Sequence, residues 1–276
     1  MNTTIATRLA TLATALAGVA ALAGLVLPRL YVDAPNWVQQ ARGTDLATLF
    51  LAVPVLGIGL LKARHGSAAG HLAVLAGLLY LVYNYAIFAF TVTMNPLTAV
   101  HIAILAFALW SLVLGGRAMA EEGHAVADRL SHRLTGSILV AVGALFGLLW
   151  VGQIAGTTMT GVLPTDLVRA GISSNPVYAL DLAFFLPLCV IAGVGLVRRN
   201  SAAAWAFPML IWVTLMGAGV VGGFLMMALA AEEIVVPVAV VITGLSVVTA
   251  VLAAAAVIRL GSTVANVTPR PAHQEG

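Results

Sequence analysis

The stretch HLAVLAGLLYLVYNYAIFAFTV, residues 71–92, decides the kind of fold that this chain adopts. It contains no Asp, Glu, Lys or Arg, and leucine, alanine, valine and tyrosine make up most of it. An α-helix rises 1.5 Å per residue, so about 20 apolar residues are enough to cross the roughly 30 Å hydrocarbon core of a bilayer. The stretch is therefore predicted to form a membrane-spanning helix.

The composition of the whole chain agrees with this interpretation. Of the 276 residues, 61% are hydrophobic and 8% are charged, and the mean hydropathy is +1.05. An ordinary soluble domain has about 25% charged residues. The single cysteine, Cys189, allows no disulfide framework and no cysteine-based metal site. The predicted fold class is an all-α integral membrane protein.

Seven further apolar stretches are long enough to cross a bilayer. They cover residues 9–28, 46–63, 97–116, 135–156, 176–197, 203–229 and 235–258. The first of them, which follows Arg8, also resembles a secretory signal peptide. Its full span length and its similarity to a later stretch favour a true membrane span. The sequence thus predicts about eight transmembrane helices, with both termini on one side.

The distribution of basic residues predicts which side that is. Of the 13 Lys and Arg residues, only Arg29, Arg42 and Arg169 fall on the side away from the termini. The positive-inside rule then places the N- and C-termini in the cytoplasm and the protein in the cell membrane. The basic residues are scattered through short loops without interleaved aromatics, so no nucleic-acid partner is expected.

An internal repeat is the most informative pattern in the sequence. Asp45-Leu-Ala is followed by Gly57-Ile-Gly-Leu-Leu-Lys62, and Asp181-Leu-Ala is followed at the same offsets by Gly193-Val-Gly-Leu-Val-Arg198. Because four crossings return a chain to its starting side, the two repeats are predicted to run parallel. The predicted units are a four-helix repeat at 1–118, a cytoplasmic linker at 119–134, a second repeat at 135–260 and a disordered tail at 261–276.

Polar residues inside the predicted spans are the candidate binding residues, because polar groups in hydrocarbon are costly and need partners. Tyr80 and Asn84 share one helix face, and Tyr178 and Asp181 share another, at helical spacing. His101 lies one turn into the fourth span. Residues Asn84, His101, Tyr178 and Asp181 are predicted at similar depth, near the outer side, around a shared polar cavity, with Asp181 as a proton carrier or cation ligand.

Some of these candidates also have purely structural interpretations. Asp45 is the remaining candidate, and its position near a helix start also suits a charge that complements the helix dipole. His101 also suits a buried histidine hydrogen-bonded to a tyrosine. The sequence has none of the common motifs for phosphate, metal or nucleophile chemistry, so no cofactor is predicted.

The favoured functional hypothesis is a small transporter, permease-like or small-molecule-binding membrane protein whose polar cavity opens to the extracytoplasmic side. One alternative is a membrane-embedded enzyme or haem protein, because two parallel four-helix bundles resemble the layout of haem A synthase and its relatives. The chain lacks the paired histidines of that family, since His101 is the only histidine that lies inside a predicted span and not at its end. A second alternative is a structural subunit of a membrane complex.

Overall fold

A computed structural model describes residues 3–232, 234 and 236–265, and it is helical over 85% of the chain with no strand among these residues. Eight of its helices are long and apolar enough to cross a membrane, which confirms the predicted number. We label them α1 Thr3–Val26, α2 Pro35–Arg64, α3 Ala68–Thr91, α4 Thr98–Glu121, α5 His132–Thr160, α6 Pro176–Arg198, α7 Ser201–Leu229 and α8 Val236–Ala265. Two short helices, Gly123–Ala127 and Thr165–Ala170, lie between them.

Helix α3, which contains the fold-determining stretch, lies at the centre of the bundle. In its most apolar segment 72% of the residues are buried inside the protein, compared with 17% in α5. The other long helices pack around it, with α1 along α4, α5 along α6, and α7 against both α2 and α8. The outward faces of α5 and α8 are apolar, which suits contact with lipid.

Helices α2 and α6 each contain one π-helical turn, at Thr48–Ala52 and Asp181–Phe185. A proline follows each turn closely, Pro54 in α2 and Pro187 in α6. Proline has no N–H to donate to the preceding turn, and its ring crowds the carbonyl four residues earlier. A wider turn relieves this crowding, and such turns are common at functional sites. Both halves of the chain therefore carry the same local irregularity next to an aspartate.

Helix α2 begins earlier than its apolar pattern predicts. The polar segment Pro35–Thr44 precedes the predicted span at 46–63, yet it is helical from Pro35, a residue favoured in a first helical turn. The segment crosses α7 closely, because a Cβ atom on Gly43 would lie 2.0 Å from the Gly223 backbone nitrogen. This contact between two backbones depends on tertiary structure, so hydropathy alone does not reveal it.

Glycines of α5 bring this helix close to α6. Gly143 and Gly147 have the four-residue spacing of a close helix contact, but no atom lies within 4 Å of a Cβ placed on Gly147. Gly143 instead meets the Leu186 carbonyl of α6, and Gly136, two turns earlier, meets the Gly193 carbonyl. The two glycines at which α5 comes closest to α6 are therefore seven residues apart, so the two helices run side by side.

The four-helix repeat remains a prediction. The first half packs α1 along α4, whereas in the second half α8 packs along α7. Most of the predicted tail, 261–276, lies outside the described residues, which end at Ala265.

Candidate functional site

The two aspartates near the π-helical turns lie in different surroundings. Asp45 is 3% exposed, and its Oδ2 atom accepts a 2.7 Å hydrogen bond from the Tyr31 hydroxyl. Helix α1 passes so close that a Cβ atom on Gly24 would lie 1.9 Å from the same oxygen. Arg42 lies three residues earlier on the same helix but forms no ion pair with Asp45. Burial and the neighbouring Asp45 raise the pKa of the Tyr31 phenol, which lies in the loop before α2, so the phenol remains a hydrogen-bond donor.

A second hydrogen-bonded pair continues this arrangement one turn further along α2. The hydroxyls of Thr48 and Tyr80 lie 2.9 Å apart, and the Tyr80 hydroxyl also donates to the Thr44 carbonyl at 3.3 Å. Thr48 and Tyr80 are 1% and 0% exposed. We call Gly24, Tyr31, Asp45, Thr48 and Tyr80 the closed network. Two of the predicted site residues, Asp45 and Tyr80, belong to it.

His101 lies apart from both aspartates. It is 1% exposed, and the rings of Tyr85 and Phe88 lie 5.7 and 5.0 Å from its own. Its Nδ1 atom has no hydrogen-bond partner within the described residues. The expectation that His101 shares a cavity with Asn84 and Asp181 is therefore corrected: the helix face on which it lies is filled by aromatic side chains.

Asp181 opens the π-helical turn of α6 and receives only uncharged donors. The indole Nε1 of Trp150 donates to its Oδ2 atom at 2.7 Å, and the Tyr83 hydroxyl approaches the same carboxylate. Within the described part of the chain, no basic side chain forms an ion pair with it. Asp181 is 7% exposed, so protein covers most of its carboxylate, and its remaining surface faces the cavity described below.

Tyr178 holds Trp150 in place. Its ring stacks on the Trp150 ring with 4.9 Å between centroids, and its hydroxyl donates to the side-chain oxygen of Gln153 on the same helix as Trp150. Asn175, which caps the start of α6 by accepting from the Val177 N–H, sets where this helix begins. Tyr178 thus positions Trp150, which donates to Asp181. Tyr178 itself does not line the cavity described next.

A cavity of about 250 Å³ lies beside Asp181, between helices of both halves. Asn84 of α3 lines it opposite α6, and its amide nitrogen donates to the Tyr80 carbonyl at 3.0 Å and approaches the Met216 sulfur at 3.4 Å. The cavity is located near the start of α2, the end of α3 and the start of α6, because Trp37, Val92 and Asn175 also line it. We call this space the open cavity. The structure brings Asn84 and Asp181 together as expected.

The lining of the open cavity is aromatic and carries one charged residue. Asp181 is the only charged residue among the described residues that line it, and Gln40, Thr44, Asn84 and Asn175 supply neutral polar groups. Six aromatic residues contribute to the walls, namely Trp37, Tyr83, Phe88, Phe146, Trp150 and Trp212. Such a space can bind a small molecule through stacking, hydrogen bonds and one carboxylate. No group of three metal-ligating side chains forms within the described residues.

The sequence analysis missed the aromatic residues of this site. Trp150 and Trp212 lie within predicted spans, and an indole N–H in an apolar helix needs an acceptor, which was the available signal. Trp212 shows this need directly, because its Nε1 atom is buried and has no partner among the described residues. Gln40 precedes the predicted span at 46–63, so it was not among the polar residues considered within the spans.

Comparison of the chain with models of known protein families, with curated proteins and with solved structures finds no match. The eight long apolar helices suggest a multi-pass membrane protein.

Proposed function

We propose that this protein is a small transporter or permease-like membrane protein that binds a small molecule in the open cavity. The observation that carries the proposal is the position of Asn84 and Asp181, which come from different halves of the chain and line one enclosed space. Cavities at the interface between repeats are where many transporters bind their substrates. The aspartates and glycines that α2 and α6 share at the same offsets support a parallel four-helix repeat.

In this proposal the open cavity faces the extracytoplasmic side of the cell membrane, and both termini are cytoplasmic. The distribution of the 13 basic residues supports this orientation. The cavity lies at the ends of α2, α3 and α6 that the positive-inside rule assigns to the outside. A molecule that enters from that side would reach Gln40 before Asp181, since Gln40 is exposed and Asp181 is buried.

A ligand screen tests the binding function. Purified protein is heated with each member of a library of small metabolites, and the same screen is run on Asn84→Leu, which keeps the branching of the side chain, is larger and removes its hydrogen-bonding groups. We expect at least one compound to raise the melting temperature of the wild type, because a ligand that binds only the folded state stabilises it. The same compound should raise the melting temperature of the variant less. Uptake of that compound into proteoliposomes then distinguishes transport from binding alone. Equal responses of both proteins to every compound would refute the proposal.

Cysteine labelling in intact cells tests the orientation. The native Cys189 is 0% exposed, so its background labelling is low. A membrane-impermeant maleimide should label Met94→Cys in intact cells but label His65→Cys and Ser201→Cys only after the cells are opened. These positions are exposed and flank α3 at its two ends and α7 at its start. Labelling of His65→Cys and Ser201→Cys from opposite sides would contradict the parallel repeat.

The haem alternative gains no support from the site geometry. His101 packs between Tyr85 and Phe88 and does not line the open cavity, so no histidine among the described residues that line the cavity is available as an axial ligand. The absorption spectrum of the purified protein tests this point directly, because bound haem gives a strong Soret band.

A further inference from the structure

We propose that the ligand of the open cavity is a small organic cation that carries one positive charge, an apolar body and a hydrogen-bond acceptor. This inference rests on the proposed binding function and identifies the chemical class of the ligand. Three independent features of the cavity support it: its charge, its aromatic walls and an unsatisfied hydrogen-bond donor.

The charge of the cavity is the first feature. A buried carboxylate normally has a cationic partner, because removing an isolated charge from water is costly. Asp181 forms no ion pair with a described basic residue, and no basic residue lies in the cavity wall beside it. The described residues that line the cavity include no Lys, Arg or His. A cationic ligand would provide the missing partner, whereas an anionic ligand would face repulsion.

The aromatic walls are the second feature. The negative face of an aromatic ring attracts cations, and cages of such rings recognise substituted ammonium groups. Trp150 stacks on Tyr178 with one face, and Trp212 stacks on Phe185 with a centroid distance of 4.8 Å. Both tryptophans nevertheless line the cavity, together with Tyr83, whose ring meets Trp212 edge to face at 5.6 Å. These contacts hold the rings rigid around the space beside Asp181.

The third feature is the indole nitrogen of Trp212. Its Nε1 atom is buried and has no acceptor among the described residues, although the side chain is 4% exposed and belongs to the cavity wall. An unsatisfied buried donor is unfavourable, so a ligand oxygen that reached this nitrogen from the cavity would be favoured. The cavity volume of about 250 Å³ is slightly below the roughly 300–1,000 Å³ of pockets for drug-sized ligands, which favours a small molecule.

A pair of probes that differ mainly in charge tests the inference. Choline and 3,3-dimethylbutan-1-ol have nearly the same shape and the same hydroxyl, but only choline is cationic. Phenethylamine and propylbenzene form a second such pair. Binding of all four to the purified protein in lipid nanodiscs is measured by titration calorimetry, with empty nanodiscs as the blank. We expect at least one cation to bind about tenfold or more tightly than its uncharged counterpart.

Two variants with the same change of charge complete the experiment. Asp181→Asn keeps the shape and an acceptor for Trp150, and it should abolish the preference for the cation without changing the affinity for the uncharged probe. Asp33→Asn removes a carboxylate from the loop before α2, where Asp33 accepts from Thr93 outside the cavity, and should leave the preference intact. The melting temperature of each variant reports whether it folds.

The outcomes separate this inference from the proposed function. Uncharged probes that bind the wild type as tightly as the cations would overturn the inference and leave the binding function standing. A preference that survives in Asp181→Asn, or disappears in Asp33→Asn, would also overturn it. If none of the four probes binds but the library screen finds an uncharged or anionic ligand, the inference fails by itself. If the screen finds no ligand either, both fail.

Discussion

Each half of the chain places a buried aspartate beside a π-helical turn, and the two aspartates differ in what surrounds them. Asp45 is held by Tyr31 and approached by α1 at Gly24. Asp181 is held by Trp150 and faces a cavity of about 250 Å³ without a cation. The same local sequence, Asp-Leu-Ala, therefore supports a closed structural site in one half and an open site in the other.

The difference arises from neighbouring helices and not from the aspartates themselves. In the first half, the short side chains of α1 allow it to cover Asp45, and Ala13, Ala17 and Ala20 are all buried. In the second half, large rings surround Asp181 and leave space between them. A buried carboxylate that neighbouring helices cover stabilises one conformation, whereas one that lines a cavity is suited to binding a ligand.

The largest expected effect comes from the contact that joins the two regions. Gly43 lies two residues before Asp45 and one residue before Thr44, which lines the open cavity. In Gly43→Val the new side chain would meet the Gly223 backbone, which cannot move aside as a flexible side chain can. We expect a loss of about 3 kcal/mol or more in unfolding free energy, at the upper end of overpacking effects. Thermal unfolding in detergent measures it.

Gly147→Val is the matched control for this change. It introduces the same side chain at a glycine in α5 where no atom lies within 4 Å of the new Cβ. It should unfold within a few degrees of the wild type. If both variants are equally stable, the close crossing of α2 and α7 does not hold the two regions together.

The next effect concerns accessibility. Thr44 and Thr48 are one turn apart on α2, but Thr44 lines the open cavity while Thr48 is 1% exposed in the closed network. Because thiol reactivity follows exposure, Thr44→Cys should react with a small hydrophilic methanethiosulfonate more than about tenfold faster than Thr48→Cys. The reaction rates follow from mass spectrometry of the intact protein. Equal rates would mean that the closed network is also open to water.

The comparison of Thr44 with Thr48 also shows how much of the site can be predicted from the sequence. The apolar runs predicted the eight helices, and the cost of polar groups in hydrocarbon singled out Asn84 and Asp181, which line the same cavity. The sequence did not separate Thr44 from Thr48, or Asp45 from Asp181, because residue type does not reveal which helix covers a given face. The prediction that His101 shares the cavity with Asn84 and Asp181 was wrong for the same reason.

A smaller effect is expected in the strength of the two hydrogen bonds. A double-mutant cycle with Tyr31→Phe and Asp45→Ala should give a coupling energy of about 1–3 kcal/mol, because water cannot replace the lost partner in the closed network. The corresponding cycle with Trp150→Phe and Asp181→Ala should give less than about 1 kcal/mol, because water in the cavity can take over the bond. Chemical unfolding of all variants measures both. The reverse order would contradict the assignment of closed and open sites.

The smallest expected effect is a pH dependence of the closed network. Burial, the neighbouring Asp45 and Tyr85 raise the pKa of the Tyr31 phenol, which Arg42 only partly opposes. A raised pKa in the folded state means that the stabilisation from Tyr31 is complete below about pH 10, where the unfolded phenol is also protonated, and is lost as the pH rises further. At pH 11 the loss should be about 1 kcal/mol relative to pH 8.

Tyr31→Phe cannot ionise at this position, so it should lose less stability than the wild type over the same range. Unfolding curves of both proteins at the two pH values provide the comparison, and identical losses would show that the Tyr31 hydroxyl is solvated and that the network around Asp45 is not closed.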